Sequence, residues 1–507
     1  MSRRRTSRSP RSTGLSQRPF GEVHNPLRPV ELISADQVET IHHMSLKILR
    51  DIGLKVESAV ARDLFKQIGA EVDPDNHRVR LDPALVEEML TGLPAEFTIH
   101  ARNPEKTVTV GGNSLTFATV CGPSFVSDLD RGRRAGTLED VRDFVKLSAS
   151  LNIFHHEGGA GCEPLELPPE TRHLDMMLAQ VTLCDKGWQP CWMNTAARAR
   201  DCIEMARIAL GTDAEGLRAR PGILGGVNTN SPLLFDDGQA EAVIEFARAG
   251  QPVHITPFTL AGAMAPATIG GALVQQNAEA LAGIVLGQAT ERGAPVFYGH
   301  FTSNVDMRTG SPAFGTPEYA KSVIVSGQMA RRYGIPVRSS NTTASACVDL
   351  QAAYESDMSI GACIQGHINV MMHAGGWLEG GLTCSFEKLI LDAELLQMQA
   401  AFLDPLDLSD DAVGFDAIQE VGPAGHFFGT AHTLARYETA FYNPILSDWR
   451  NFETWRDDGA KTATQRANAI WKKLLAEYQK PPIDPAVEEE LEAYVARRKE
   501  EISRTGV

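Results

Sequence analysis

Long apolar runs are missing from this 507-residue chain: no stretch of eighteen consecutive apolar residues occurs, which leaves no candidate membrane-spanning helix. The cysteines number only eight, at positions 121, 162, 184, 191, 202, 347, 363 and 384, and no C-x-x-C pair is among them. Reduced, mostly buried thiols and a cytoplasmic location are therefore expected. Positive charge is in deficit, 48 Lys and Arg against 64 Asp and Glu, so with a net charge of −16 neither nucleic acid nor an anionic membrane surface is an expected partner. The one basic stretch is MSRRRTSRSPRSTGLSQRPF, and no apolar segment follows its arginines as an export signal would require. A disordered tail over residues 1–30 is the expectation.

Familiar catalytic signatures are absent as well. No G-x-S-x-G elbow, no G-x-x-x-x-G-K-[ST] loop and no glycine-rich dinucleotide loop after the first strand can be found, which argues against an elbow-type hydrolase, a P-loop NTPase and a dinucleotide-binding open sheet.

What is present is rhythm. After a helical preface and a strand pair (Phe97 to His100, Thr107 to Val110) within 31–112, eight candidate strands follow: 115–125, 152–158, 189–194, 222–228, 252–258, 295–301, 336–341 and 368–373. Helical stretches lie between and after them, six of them followed by a glycine expected to take the left-handed terminating position: 187, 211, 250, 293, 334 and 366. Eight strands alternating with eight helices are the count of an α/β TIM barrel, here over 113–404, with 405–507 as a C-terminal helical extension packing on it.

In such a fold ligands bind where the strands end. The residues at those ends are His155, His156 and Glu157; Trp192 and Asn194; Asn228 and Asn230; Phe258; Tyr298, His300 and Phe301; Ser340 and Asn341; and His373, Trp377 and Glu379, with Asp306 in a loop after the sixth strand. The set is rich in aromatics and amides and poor in acids, which suits a quaternary ammonium, because cations favour aromatic faces and such a box asks for no hydrogen bond the ligand cannot give. Individual aromatics could equally well fill the barrel. A metal site is not expected: His155 and His156, as neighbours on a strand, face opposite ways. A metal-dependent hydrolase built on one of them with Glu157 and His373 stands as the alternative, beside a non-catalytic barrel that binds betaines. Cys347 and Cys363 read as small buried apolar residues; His426 and His432 in GHFFGTAHTL read as a cap or lid.

The runs NVDMRTGSPAFGTPEYA, DLQAAYES, GGWLEGGLTCSFEKLILDAELLQM and GHFFGTAHTL resemble the trimethylamine methyltransferase family in their order, over most of the chain. The resemblance implies a TIM barrel that passes a methyl group from a methylated amine to the Co(I) of a corrinoid on a separate protein, with no cofactor bound directly and a homo-oligomer expected. The archetypal trimethylamine enzymes carry a pyrrolysine near the end of a late barrel strand; the matching stretch here, near 338–349, holds only standard residues. A quaternary ammonium leaves as a neutral amine and needs no special activation, so the chain is similar to the branch without pyrrolysine, which includes glycine betaine methyltransferases. Strand-end placement, which the resemblance does not refine, makes His373, Tyr298 and His300 the catalytic candidates. Substrate binding falls to His156, Glu157, Trp192, Asn194, Asn228, Phe258, Phe301, Asp306, Asn341, Trp377 and Glu379. Trp192, Tyr298, Phe301 and Trp377 would hold the cation, and His156, Asn228, His300 or His373 a carboxylate.

Overall fold

The structure is a computed structural model that describes residues 15–191 and 193–505. Eight strands form its centre: β1 (Ser114–Thr119), β2 (His156–Glu157), β3 (Gly187–Trp188), β4 (Gly225–Val227), β5 (Val253–Ile255), β6 (Val296–Gly299), β7 (Val337–Ser340) and β8 (Val370–Gly375). Each runs parallel to the next, and β8 returns to β1 with Val370 opposite Thr116. Where β3 meets β4 a parallel bridge joins Trp188 to Ile223, and the Leu224 N–H donates to the Trp188 carbonyl at 2.9 Å. The sheet is thereby a closed barrel.

The helices following these strands are α1 (Leu138–Ser150), α2 (Arg172–Leu183), α3 (Ala196–Ala209), α4 (Asp237–Arg248), α5 (Ile269–Thr290), α6 (Pro317–Tyr333), α7 (Leu350–Gly366) and α8 (Phe386–Phe402). Local chemistry sets their ends. Thr137 and Asp140 form a reciprocal capping box at the start of α1, and Thr316 caps α6 with Pro317 in its first turn, where the missing N–H costs nothing. Of the six terminating glycines, Gly211, Gly250, Gly293 and Gly334 are left-handed as expected. Gly187 instead opens β3, and Gly366 is the last residue of α7, with His367 taking the left-handed position at φ 56°.

Strand alternation splits the interior from the outer layer. Ala118, Leu224, Phe297, Val370 and Met372 point inward and form a separate core with Ile99, Val108 and Val110. Those last three come from the hairpin Glu96–Ile99 with Val108–Gly111, which plugs the end where the strands begin. The opposite end stays open. On the outside, helices Ala35–Lys47, Ala59–Gln67 and Pro83–Leu90 pack over α5. Covered by them on one side and by the barrel on the other, α5 is buried along most of its length and shows no polar stripe.

Several expectations are corrected. The expected first strand, 115–125, breaks after Thr119; its far end re-forms as Phe125–Asp128, which pairs with Thr383–Ser385 in a small sheet beside the mouth. The third strand lies at Gly187–Trp188, and most of the span expected for it, from Gln189, is loop. The tail is ordered from Leu15 onward: Val23 and His24 pair antiparallel with β1, and the Val30 N–H donates to the Gln365 carbonyl at 2.9 Å. Residues 1–14 of that tail lie outside the described residues. Cys347 is exposed and Cys363 buried. In the extension, helix Ala463–Glu477 packs on α8 and α1, and helix Pro485–Thr505 on α2 and α3. No helix among the described residues is long and apolar enough to cross a membrane.

One buried ion pair fastens the last barrel unit. Lys388 and Asp392, one turn apart on α8 and both fully enclosed, bond each other; the Lys388 ammonium donates to Ser356 Oγ at 2.7 Å, and Asp392 Oδ2 accepts the Gly376 N–H at 2.8 Å. Removing one member leaves the other charge stranded, so Asp392→Ala should lower unfolding free energy by about 3–5 kcal/mol in urea titrations, and Lys388→Met with Asp392→Leu together should recover much of that loss.

Candidate functional site

A cavity of about 400 Å³ opens at the C-terminal end of the barrel, lined from seven of the eight strands or the loops that follow them. One wall is aromatic. Phe258, Phe301, Phe314 and Trp377 pack with centroid separations of 5.2 Å (Phe258 to Phe301), 5.6 Å (Phe301 to Phe314) and 5.9 Å (Phe301 to Trp377). The Trp377 indole N–H donates to the Thr343 carbonyl at 3.1 Å, which fixes its plane against the imidazole of His373, 4.3 Å away.

His373 reaches the cavity through a break in β8. The register with β1 shifts between Met371 and Gly375, and His373 sits at φ 52°, so that it and its neighbour Met372 both line the space. A bulge re-aims side chains in this way. Ser340 Oγ lies 3.0 Å from His373 Nδ1, and Cys121 Sγ lies 3.7 Å from Nε2.

The inner wall holds the one formal charge of the lining, Arg338 from β7. Its side chain is almost completely buried, its Nη1 donates to the His300 carbonyl at 2.9 Å, and its Nε has no partner among the described residues. The guanidinium carbon lies 5.1 Å from the centre of the Phe301 ring. No carboxylate pairs with it among the described residues, and burial pushes its pKa down to about 10, which still leaves it charged at neutral pH. Beside it, His254 is pressed by burial and then by the charge of Arg338 to a pKa well below the ordinary value; His373 is lowered likewise. Both imidazoles are neutral at physiological pH. Gly226 makes room for His254: a β-carbon there would come within 2.6 Å of the ring.

Of the residues expected from the sequence, Phe258, Phe301, Trp377, His373 and Asn228 converge on this cavity. Others do not. Tyr298 faces away from the barrel axis toward α5, donating to Asn277 Oδ1 at 2.9 Å and accepting from Gln276 at 3.0 Å. The His300 ring also points outward, between Ser339 Oγ (2.9 Å) and Ser322 Oγ (2.8 Å), with its pKa lowered to about 3 by burial. His156 faces inward, on the same side as its strand partner Ala118, with both ring nitrogens lacking a partner among the described residues, while His155 and Glu157 face outward. Glu157, raised by burial, accepts from Gln180 on α2 and from the Ala160 N–H at 2.9 Å. The metal arrangement of His155 or His156 with Glu157 and His373 therefore does not assemble.

Asn194 accepts from Arg198 at 2.8 Å on the outer surface, and Asp306 braces its own loop by accepting from Thr309 at 2.7 Å. Asn341 is buried, donating to the Ala374 carbonyl at 3.2 Å, and Glu379 pairs with Arg133 at 2.7 Å near the rim. Asn230 does not line the cavity. Trp192 lies outside the described residues. His432 bonds the Asp411 carbonyl at 3.1 Å, in keeping with a structural part.

Sequence reasoning missed Arg338, His254, Gln189 and Cys121. The first two were visible as polar residues at the middle of short apolar strands, PVRSS and PVHIT, where alternation sends them inward together. Nothing local marks Gln189 or Cys121.

The family model for trimethylamine methyltransferase (MTTB) matches residues 1–503. A glycine betaine methyltransferase of Desulfitobacterium hafniense (strain Y51) is 38% identical over 475 residues, 93% of this chain and 98% of the other. Trimethylamine methyltransferases are more distant: that of D. hafniense (strain DSM 10664 / DCB-2) is 27% identical over 92% of this chain and 94% of its own length, and that of Methanosarcina barkeri 27% over 93% and 96%.

The buried imidazoles generate a pH dependence of stability. Burial lowers His155 to about 4 and His156 and His300 to about 3, so below the unfolded value near 6.5 the unfolded chain takes up protons that the folded chain does not. Stability is unaffected by these groups above that pH and falls as pH drops from about 6.5 toward 4. His156→Leu should reduce the proton uptake on unfolding at pH 5 by about one, measured from the pH dependence of urea unfolding free energy. An unchanged slope would mean that His156 is not held neutral.

Proposed function

The chain belongs to the trimethylamine methyltransferase family, and from that premise we propose that it takes a methyl group from a carboxylate-bearing quaternary ammonium such as glycine betaine and delivers it to the Co(I) of a corrinoid on a separate protein. The observation that carries this reading is the pairing, in one cavity, of an aromatic wall with a buried guanidinium that lacks a carboxylate partner. A zwitterion matches both. Its ammonium has no N–H to donate and is stabilised against Phe301, Phe258 and Trp377. Its carboxylate supplies the counter-charge that Arg338 lacks and accepts the free Nε hydrogen.

The chemistry asks little of acid or base. The N–CH3 bond breaks with its electron pair staying on nitrogen, the carbon accepts a pair from the reduced cobalt, and a neutral tertiary amine departs, so no proton moves. Neutral His254 and His373 suit that step, since a second positive charge would repel the ammonium. The residues of the chain contribute orientation and the exclusion of water. Gly122, Ser124, Gly380 and Gly381 line part of the cavity and present almost no side-chain bulk to an acceptor that approaches past them. At Gly381, φ is 98° and a β-carbon would lie 2.5 Å from the Trp377 ring, so the rim is thin where the indole must sit.

The test is methylation of Co(I) cobalamin or a corrinoid protein, followed by absorbance, with glycine betaine, carnitine, proline betaine, choline and trimethylamine. Carboxylate-bearing quaternary amines should be demethylated, and turnover of trimethylamine alone would overturn the reading. Arg338→Met should raise KM for glycine betaine on the order of 100-fold, because the carboxylate would be buried without its partner, while any activity on choline should change little.

A further inference from the structure

Glu355 on α7 stands behind the cavity wall without lining it, yet the loop between β7 and α7 is gathered around its carboxylate. One oxygen, Oε2, accepts from the Thr343 hydroxyl, from the Ala344 N–H at 2.8 Å and from the Ser345 N–H at 3.0 Å, while Oε1 accepts from Gln351 at 2.8 Å. The side chain is buried. Helix α7 does not need these bonds for its own start, because Asp349 caps it by accepting the Ala352 N–H at 3.0 Å. What the carboxylate fixes is the loop: charge-assisted bonds to one enclosed acceptor satisfy its buried donors and hold residues 343–345 in a single shape.

The carbonyls of that held segment face the mouth. The Thr343 carbonyl accepts both the Trp377 indole N–H at 3.1 Å and the Gly380 N–H at 3.0 Å, and the Ser345 carbonyl accepts the Glu379 N–H at 2.8 Å. Glu379, Gly380 and Gly381 all take positive φ, at 54°, 62° and 98°. A turn of this kind that begins on a residue other than glycine is costly and persists only where its surroundings hold it. On the other side, Gly315 passes so close to α7 that a β-carbon there would lie 2.4 Å from the Glu355 β-carbon. Its neighbour Phe314 stacks on Phe301 and meets Trp377 edge-on with centroids 6.0 Å apart. Two parts of the aromatic wall therefore lean on one residue.

We infer that Glu355 is a positioning residue for the methyl donor: by holding Thr343 it sets the plane of Trp377 and the shape of the turn at 379–381, and with them the face against which the quaternary nitrogen lies. The inference rests on the reading of that wall as the seat of the ammonium. A cation gains from an aromatic ring over its face, so a ring freed to turn loses the contact with no change at Arg338.

Two measurements on the full-length protein test this: the nitrogen-15 NMR signal of the Trp377 indole N–H, assigned by its loss in Trp377→Phe, and calorimetric titration with glycine betaine. Glu355→Ala should shift the indole signal, speed its exchange with water and raise Kd on the order of tenfold, with unchanged far-ultraviolet circular dichroism. Glu355→Gln keeps an oxygen for the three donors of the loop and should restore both readouts. Thr343→Val removes one donor at nearly constant shape, should move both readouts the same way by less, and serves where Glu355→Ala does not fold. A Glu355 that only stabilised the fold would lower the urea midpoint and leave the indole signal and Kd of the folded protein where they are. That outcome, or a Glu355→Gln variant as impaired as Glu355→Ala, would overturn the inference. A wild type that binds no quaternary ammonium would overturn the functional reading and this inference with it; the two failures are distinct, since one shows in the wild type and the other only in the variants.

Discussion

A guanidinium without a counter-ion is costly to enclose, and much of the barrel mouth is arranged around the one at Arg338. The His300 carbonyl accepts one of its hydrogens and the face of Phe301 lies beside its charge. Both supports are themselves anchored. The His300 ring ties β6 to Ser339 on β7 and to Ser322 on α6, which sets the backbone that carries the carbonyl. Phe301 is wedged between Phe258, Phe314 and Trp377. His300 thus acts through its backbone oxygen and its packing, with its ring turned away from the cavity.

The same burial that strains Arg338 keeps its neighbours uncharged. His254 and His373 are surrounded by barrel side chains and feel the guanidinium, and both effects favour the neutral ring. Among the residues lining the cavity, Arg338 alone carries a formal charge. A ligand therefore meets a polarised box, positive on its inner wall and π-rich beside it. A carboxylate and a quaternary nitrogen held a few bonds apart satisfy that box as a unit, whereas an uncharged amine would satisfy neither end.

Rigidity behind the box comes from the last barrel unit and the extension. The Lys388 and Asp392 pair holds Gly376 just beyond the bulge that turns His373 inward, and helix Ala463–Glu477 backs α8 through Trp471, which stacks on Phe386 with centroids 4.9 Å apart.

The eightfold alternation was legible without coordinates because strand and helix periods, glycine stops and capping residues are local signals, and a helix follows each barrel strand as that alternation requires. The aromatic character of the mouth was equally plain, since Phe258, Phe301 and Trp377 sit just beyond strand ends where parallel barrels gather their loops. Facing was harder. Tyr298 and His300 occupy a strand and its end, as expected, yet parity turns both side chains outward, and a one-residue ambiguity in a short strand reverses that answer. His373 reaches the cavity only because a bulge breaks the alternation of β8, which no spacing encodes. The pattern of residues alone determined that this chain closes a barrel and what kind of side chains crowd its rim. Tertiary structure decided which of them meet, and that Arg338 meets them without a carboxylate, because pairing and burial depend on strands that are distant in sequence and become neighbours only when the sheet closes.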